Sequence, residues 1–174
     1  LFPGLLPVRR PQKSTRRSRL FPFTTLFPEA RIKKFIEMRG ADGGPWRRLC
    51  ALPAFWVGLM YDETALDAAW DLVRGWSAET RDALRTEASV AALDGRVGSI
   101  RLRELAREVL AIAESGLKAR ARPGADGLIP DETHFLGALK DSVETGKVPA
   151  DELLDHYHGD WDGDLTRIYG AFSY

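Results

Sequence analysis

Arg31-Ile32-Lys33-Lys34-Phe35-Ile36-Glu37-Met38-Arg39 decides how the rest of the chain is read. Ile32, Ile36 and Met38 share one parity; Lys33, Glu37 and Arg39 share the other, together with Phe35. Alternate residues of a β-strand face opposite sides. The spacing therefore predicts one strand over 31–39, with an apolar face and a face of charged heads. Gly40-Ala41-Asp42-Gly43-Gly44-Pro45 then breaks it.

Downstream of that break the pattern is helical. Pro53 fits the first turn of a helix running to about Tyr61. Leu66, Ala69, Trp70 and Val73 form an i, i+3, i+4, i+7 stripe after Asp62. Ser77 caps a short helix through Leu84, and 88–98 reads as a loop. Leu102, Leu105, Ala106, Val109, Leu110, Ala113 and Leu117 make the clearest amphipathic helix. A Gly/Pro loop covers 122–130. Asp131 caps a helix with Phe135, Leu139 and Val143, and Gly146 stands just past its end. Pro149 opens a last helix through Leu153, Leu154 and Tyr157. One strand followed by helices gives an α+β chain, mostly helical. The tryptophans Trp56, Trp70, Trp76 and Trp161 read most simply as core residues.

Upstream, residues 1–23 are of another kind. Pro3, Pro7, Pro11 and Pro22 forbid a continuous helix. Arg9, Arg10, Lys13, Arg16, Arg17 and Arg19 stand in residues 1–28 without one acid, which leaves 19 basic against 25 acidic groups in the remainder. A targeting arm, a polyanion-binding arm and a disordered tail all suit this composition. The domain division expected is a basic, Pro-rich, disordered tail over 1–23 and one folded part over 24–174.

The net charge of zero argues against a general preference for nucleic acid or acidic membranes. The longest apolar run, Leu49 to Tyr61, holds Pro53 and Gly58 and is shorter than the about 20 residues of a membrane span. A single cysteine, Cys50, excludes an internal disulfide framework and a thiolate zinc cluster.

Glu37 and Arg39 carry the chemistry. Two apart on a strand, they project from one face with side chains starting about 7 Å apart. A carboxylate there can hold Mg²⁺, a hard cation that takes oxygen ligands and substrate phosphates. A guanidinium beside it can grip a phosphate bidentately. The pair suits transfer of the γ-phosphoryl of ATP to a carboxylate, which needs positioning and charge neutralisation. Taken alone, Glu-x-Arg is common and reads first as a solvated strand face.

The run from Leu26-Phe27-Pro28-Glu29-Ala30 through Glu37-Met38-Arg39-Gly40-Ala41-Asp42-Gly43-Gly44-Pro45-Trp46-Arg47-Arg48-Leu49-Cys50 to Val57-Gly58 closely resembles a stretch of plant-type and alphaproteobacterial glutamate–cysteine ligases. Pro149-Ala150-Asp151-Glu152-Leu153-Leu154, through Gly159-Asp160-Trp161 to Tyr174, resembles their carboxyl terminus. The resemblance takes in about residues 24–174. It implies ATP-dependent joining of L-glutamate to L-cysteine, the first step of glutathione synthesis, with ATP and Mg²⁺. It implies a glutamine-synthetase-like catalytic fold of which this chain is the carboxyl-terminal portion. By the same similarity Glu37 is a Mg²⁺ ligand, Arg39 stabilises the transferred phosphoryl group, and Lys33 meets other nucleotide phosphates. The expected partners are the small-molecule substrates and the missing amino-terminal part of the enzyme, without nucleic acid or membrane. The chain is expected to be an incomplete fragment, inactive alone, in the cytoplasm or, for a plant host, the plastid. The alternative is a non-catalytic helical interaction module that keeps part of the ligase fold.

Cys50 resembles a cysteine that in plant relatives joins a redox-regulatory disulfide, and it also reads as a buried thiol. Trp46, Arg47 and Arg48 read either as a border to the amino-acid substrates or as an aromatic anchor with surface arginines. His156 and His158 point in different directions from a helix end, which disfavours a shared metal. Asp160, Asp162 and Asp164 imitate the start of a calcium loop, but Leu165 and Ala171 stand where Gly and a bidentate Glu are needed.

Overall fold

The computed structural model describes residues 30–32, 34–38, 41, 46–122 and 131–171. The chain divides into two compact units, Leu1–Asp42 and Gly43–Tyr174. Each is described by itself.

In the first unit the predicted single strand is two. β1 (Ala30–Ile32) and β2 (Ile36–Met38) pair antiparallel, with Ala30 opposite Met38, Arg31 opposite Glu37 and Ile32 opposite Ile36. Lys34 and Phe35 lie in the bend between them. Sequence parity could not reveal this reversal. Ile32 and Ile36 are an even number of residues apart, so the alternation reads the same along one strand or across a ladder. The bend also lacks the Gly, Pro, Asn and Asp that normally announce a turn.

The second unit is helical, with one small hairpin. Its helices are α1 (Trp46–Leu49), α2 (Ala51–Met60), α3 (Glu63–Val73), α4 (Ala78–Ala91), α5 (Leu102–Arg120), α6 (Gly137–Thr145), α7 (Pro149–His158) and α8 (Ile168–Ala171). Together with the first unit this makes a mostly helical α+β chain.

The helix ends follow the capping chemistry in the sequence. The Asp62 carboxylate accepts the Ala65 amide at 2.9 Å, and the Ser77 hydroxyl accepts the Thr80 amide at 3.2 Å. Asp151 accepts the Val148 amide at 2.9 Å at the start of α7. Gly146 closes α6 at φ 80°, the left-handed conformation glycine adopts without a Cβ clash. Two expectations shift. α4 runs seven residues past Leu84 to Ala91, because Arg85 to Ala91 contains no breaker. The expected loop over 88–98 is instead the end of α4, a 3₁₀ turn (Ala92–Asp94) and the start of a hairpin, β3 (Arg96–Val97) with β4 (Ile100–Arg101). Asp131 caps a 3₁₀ turn, Thr133–Leu136, that leads into α6.

The core lies where α2 crosses α5. Ala54, Leu59, Leu110, Ala113, Leu117, Leu136 and Val143 form one buried cluster, with Trp56, Met60, Val109 and Leu139 packed around it. The two helix backbones touch. A Cβ added at Gly58 would lie 2.8 Å from the Ala113 carbonyl carbon, and one at Gly116 would lie 2.9 Å from the Gly58 carbonyl carbon. Polar ties close the unit around this contact. On α5, Glu114 holds Lys118 and Lys140 of α6, each at 2.7 Å. The Arg103 guanidinium donates to the carbonyls of Val143, at 2.7 Å, and Glu144, at the end of α6.

One predicted core stripe is turned outward. Helix α3 buries Ala65 and half-buries Ala69, while Leu66 is 46% and Trp70 60% exposed. The other three tryptophans read as core are covered to different degrees: Trp161 is buried, and Trp56 and Trp76 are half-buried. The same periodicity would place Leu66 and Trp70 inside or outside, because periodicity names a face and not what covers it.

Candidate functional site

The candidate site is β2 of the first unit. Glu37 sits at its centre, half-buried, with Ile36 beside it 52% exposed. The charge-bearing position is therefore the more covered of the two. Hairpin pairing puts Arg31 directly across the ladder from Glu37. Lys33 and Arg39, the other two residues expected at the site, lie outside the described residues. Among the described residues no group of three or more His, Cys, Asp and Glu side chains is gathered to hold a metal ion. Glu37 is the carboxylate this strand offers. Mg²⁺ commonly takes one or two protein carboxylates and completes its shell with water and substrate phosphate, so a single carboxylate suits it.

In the second unit, Arg48 departs from the reading as a surface arginine. Its guanidinium is 14% exposed and donates to Glu152 of α7 at 3.1 Å and to the Ser142 hydroxyl of α6 at 3.5 Å. It ties α1 to the two carboxyl-terminal helices across about a hundred residues of sequence. That role was not legible beforehand, because nothing near Arg48 in sequence points to Ser142 or Glu152. Trp46 is exposed rather than an anchor. Cys50 is half-buried between α1 and α2, its amide bonded to the Trp46 carbonyl at 3.2 Å. His156 bonds the Asp160 carboxylate at 3.0 Å and stacks on the Trp161 ring, with centroids 5.3 Å apart. This pairing and this stacking give His156 a structural place. The His156 hydrogen bond also holds the Asp160 carboxyl below the usual carboxylate range. Glu114 is held below it too, by its bond to Lys118 first and to Lys140 second.

Comparison with known proteins extends this description. A sequence model of the Glutamate-cysteine ligase family 2 matches residues 7–171. The chain belongs to that family of ligases. It is 44% identical over 151 residues to the chloroplastic glutamate–cysteine ligase of Medicago truncatula, covering 87% of this chain and 28% of that protein. It is 42% identical over 151 residues to the Nicotiana tabacum enzyme, covering 27% of it, and 43% identical to that of Arabidopsis thaliana, also covering 27%. The chain thus spans little more than a quarter of the length of the curated relatives it matches. The family match runs through Lys33, Glu37 and Arg39, and through Arg48 and Cys50. Among the described residues no helix is long and apolar enough to cross a membrane.

Proposed function

We propose that this chain supplies part of the active site of a glutamate–cysteine ligase, which joins L-glutamate through its γ-carboxylate to the amine of L-cysteine at the expense of ATP. The observation that carries the reading is the family match over residues 7–171, which takes in the half-buried Glu37 on β2. Glu37 is a Mg²⁺ ligand in this reading. Arg39 grips the phosphoryl group as it passes to the γ-carboxylate, its planar fork matching phosphate oxygens. Lys33 meets the other nucleotide phosphates as a point charge. When bound, Mg²⁺ neutralises phosphate charge that would otherwise repel the incoming carboxylate. The surrounding architecture is a glutamine-synthetase-like fold, most of which the chain shares with the rest of a ligase polypeptide. The relatives' names carry the word chloroplastic, which supports the plastid rather than the cytoplasm for a plant host.

The test compares the 174-residue chain with a chimera in which its matched stretch replaces the corresponding stretch of the Medicago truncatula enzyme. Given ATP, Mg²⁺, L-glutamate and L-cysteine, the chimera forms γ-glutamylcysteine and the chain by itself does not. In the chimera, Glu37→Gln and Arg39→Lys each lower turnover about 10²–10³-fold, the usual worth of one group that stabilises the transferring charge. The Gln variant needs more Mg²⁺ for half-maximal rate, and the Lys variant does not. Near-normal turnover in both variants would return the pair to a plain strand face.

A further inference from the structure

Helix α3 presents an apolar stripe that the described residues leave open. Leu66 and Trp70 are exposed one turn apart, and Val73 continues their line at half burial. On the flank beside them the helical period places Glu63, Asp67 and Asp71. Asp71 meets Arg74 at 3.3 Å, at the end of its own helix. On the opposite flank Ala65 and Ala69 turn toward the core. A large aromatic left more than half exposed beside a leucine, with carboxylates along one edge, has the composition of an interaction surface.

We infer that this outer face of α3 is where the remainder of a glutamate–cysteine ligase polypeptide docks, through a segment that sets apolar side chains on Leu66 and Trp70 and Lys or Arg beside Glu63 and Asp67. The inference rests on the reading that the chain acts together with such a remainder. The chain matches only 28% of the length of its Medicago truncatula relative, so most of that protein is available to cover a face. Charge selects among occupants. A second copy packed antiparallel would set the same three acids against one another, and an anionic surface would be repelled. A segment of mixed apolar and basic character satisfies both stripes.

The test reads coverage directly and separately from catalysis. Hydroxyl-radical footprinting is run on the 174-residue chain and on the chimera described above. Trp70 is oxidised readily in the chain and loses most of that reactivity in the chimera. Trp70→Ala leaves the thermal midpoint of the chain unchanged and lowers that of the chimera by several degrees. Asp67→Lys, a surface change that leaves folding of the chain intact, also lowers the midpoint of the chimera only. Equal oxidation of Trp70 in both proteins overturns the inference even if the chimera is fully active, and the ligase reading then stands without it. Conversely, a protected Trp70 in a chimera that ligates nothing keeps the docking face and removes the catalytic reading. Concentration-dependent dimerisation of the chain, abolished by Trp70→Ala, would assign the face to a second copy and overturn the inference.

Discussion

Helices α3 and α5 carry the same kind of sequence signal and meet different fates. Both follow the i, i+3, i+4, i+7 spacing of an amphipathic helix. The stripe on α5 is buried, with Leu117 1% exposed and Ala113 fully covered, whereas Leu66 and Trp70 of α3 stand open. The difference lies in the partners. Helix α5 has α2 across its glycine contact, α6 through the Glu114–Lys140 ion pair, and the end of α6 under Arg103. Among the described residues, α3 shows the local ion pair from Asp71 to Arg74. A stripe tells how a helix will turn once something packs on it. Whether that something lies in the same stretch of chain is a separate matter, decided by tertiary contacts.

The sharpest way to break this comparison is to truncate the same residue type on each helix. Leu117→Ala removes a fully buried side chain and leaves a cavity in the cluster it shares with Ala54, Leu136 and Val143, at a cost of about 2–5 kcal/mol. Leu66→Ala should change stability by less than about 0.5 kcal/mol, as exposed substitutions do. Urea unfolding of the two variants measures both. Equal losses would mean that the α3 stripe is packed after all.

A smaller effect sharpens the part played by polar ties. Arg103→Met keeps most of the stem but leaves the Val143 and Glu144 carbonyls without their charged donor. The expected loss is about 1.5–3 kcal/mol, the range for a hydrogen bond to a charged group. Amide hydrogen exchange should place that loss in the last turn of α6. Faster exchange spread evenly over the whole unit would contradict the cap.

The smallest effect is one of pH. Glu114 is held below the ordinary carboxylate value of about 4.3 by Lys118 and Lys140. Its folded-state value is the lower one, so its contribution is present above the unfolded value and is lost as pH falls through the folded value. Glu114→Gln should therefore flatten the decline of stability below pH about 4.3 and leave the slope near neutrality unchanged. Thermal melts of both proteins across that window decide it, and parallel curves would remove the clasp from the account.

How much of this was legible beforehand depends on the range of the interaction. Asp62, Ser77, Gly146 and Pro149 announce helix ends because a cap acts within a few residues of itself. The clean stripe of α5 announced both a helix and its buried face. The turn at Lys34 and Phe35 was hidden because an even spacing preserves parity across a reversal. Arg48 was hidden because its partners, Ser142 and Glu152, are distant in sequence and ordinary in type. At the candidate site, residue type and spacing offered Glu37 and Arg39 as a chemical pair, of which Glu37 alone lies among the described residues. The covered setting of Glu37 was not, since burial is a property of neighbours.

The contact of Gly58 with the α5 backbone carries a consequence for mutational drift. Every residue other than glycine brings a Cβ, and at Gly58 or Gly116 that first carbon already meets a backbone carbonyl inside van der Waals distance. A backbone cannot rotate away as a side chain can, so relief requires the two helices to part. Neither position therefore has a mild replacement: alanine, elsewhere the gentlest change, is here the first that fails. Random mutagenesis of this chain, selected only for folding, should tolerate varied residues at neighbouring, exposed Ser115 while returning glycine at these two positions.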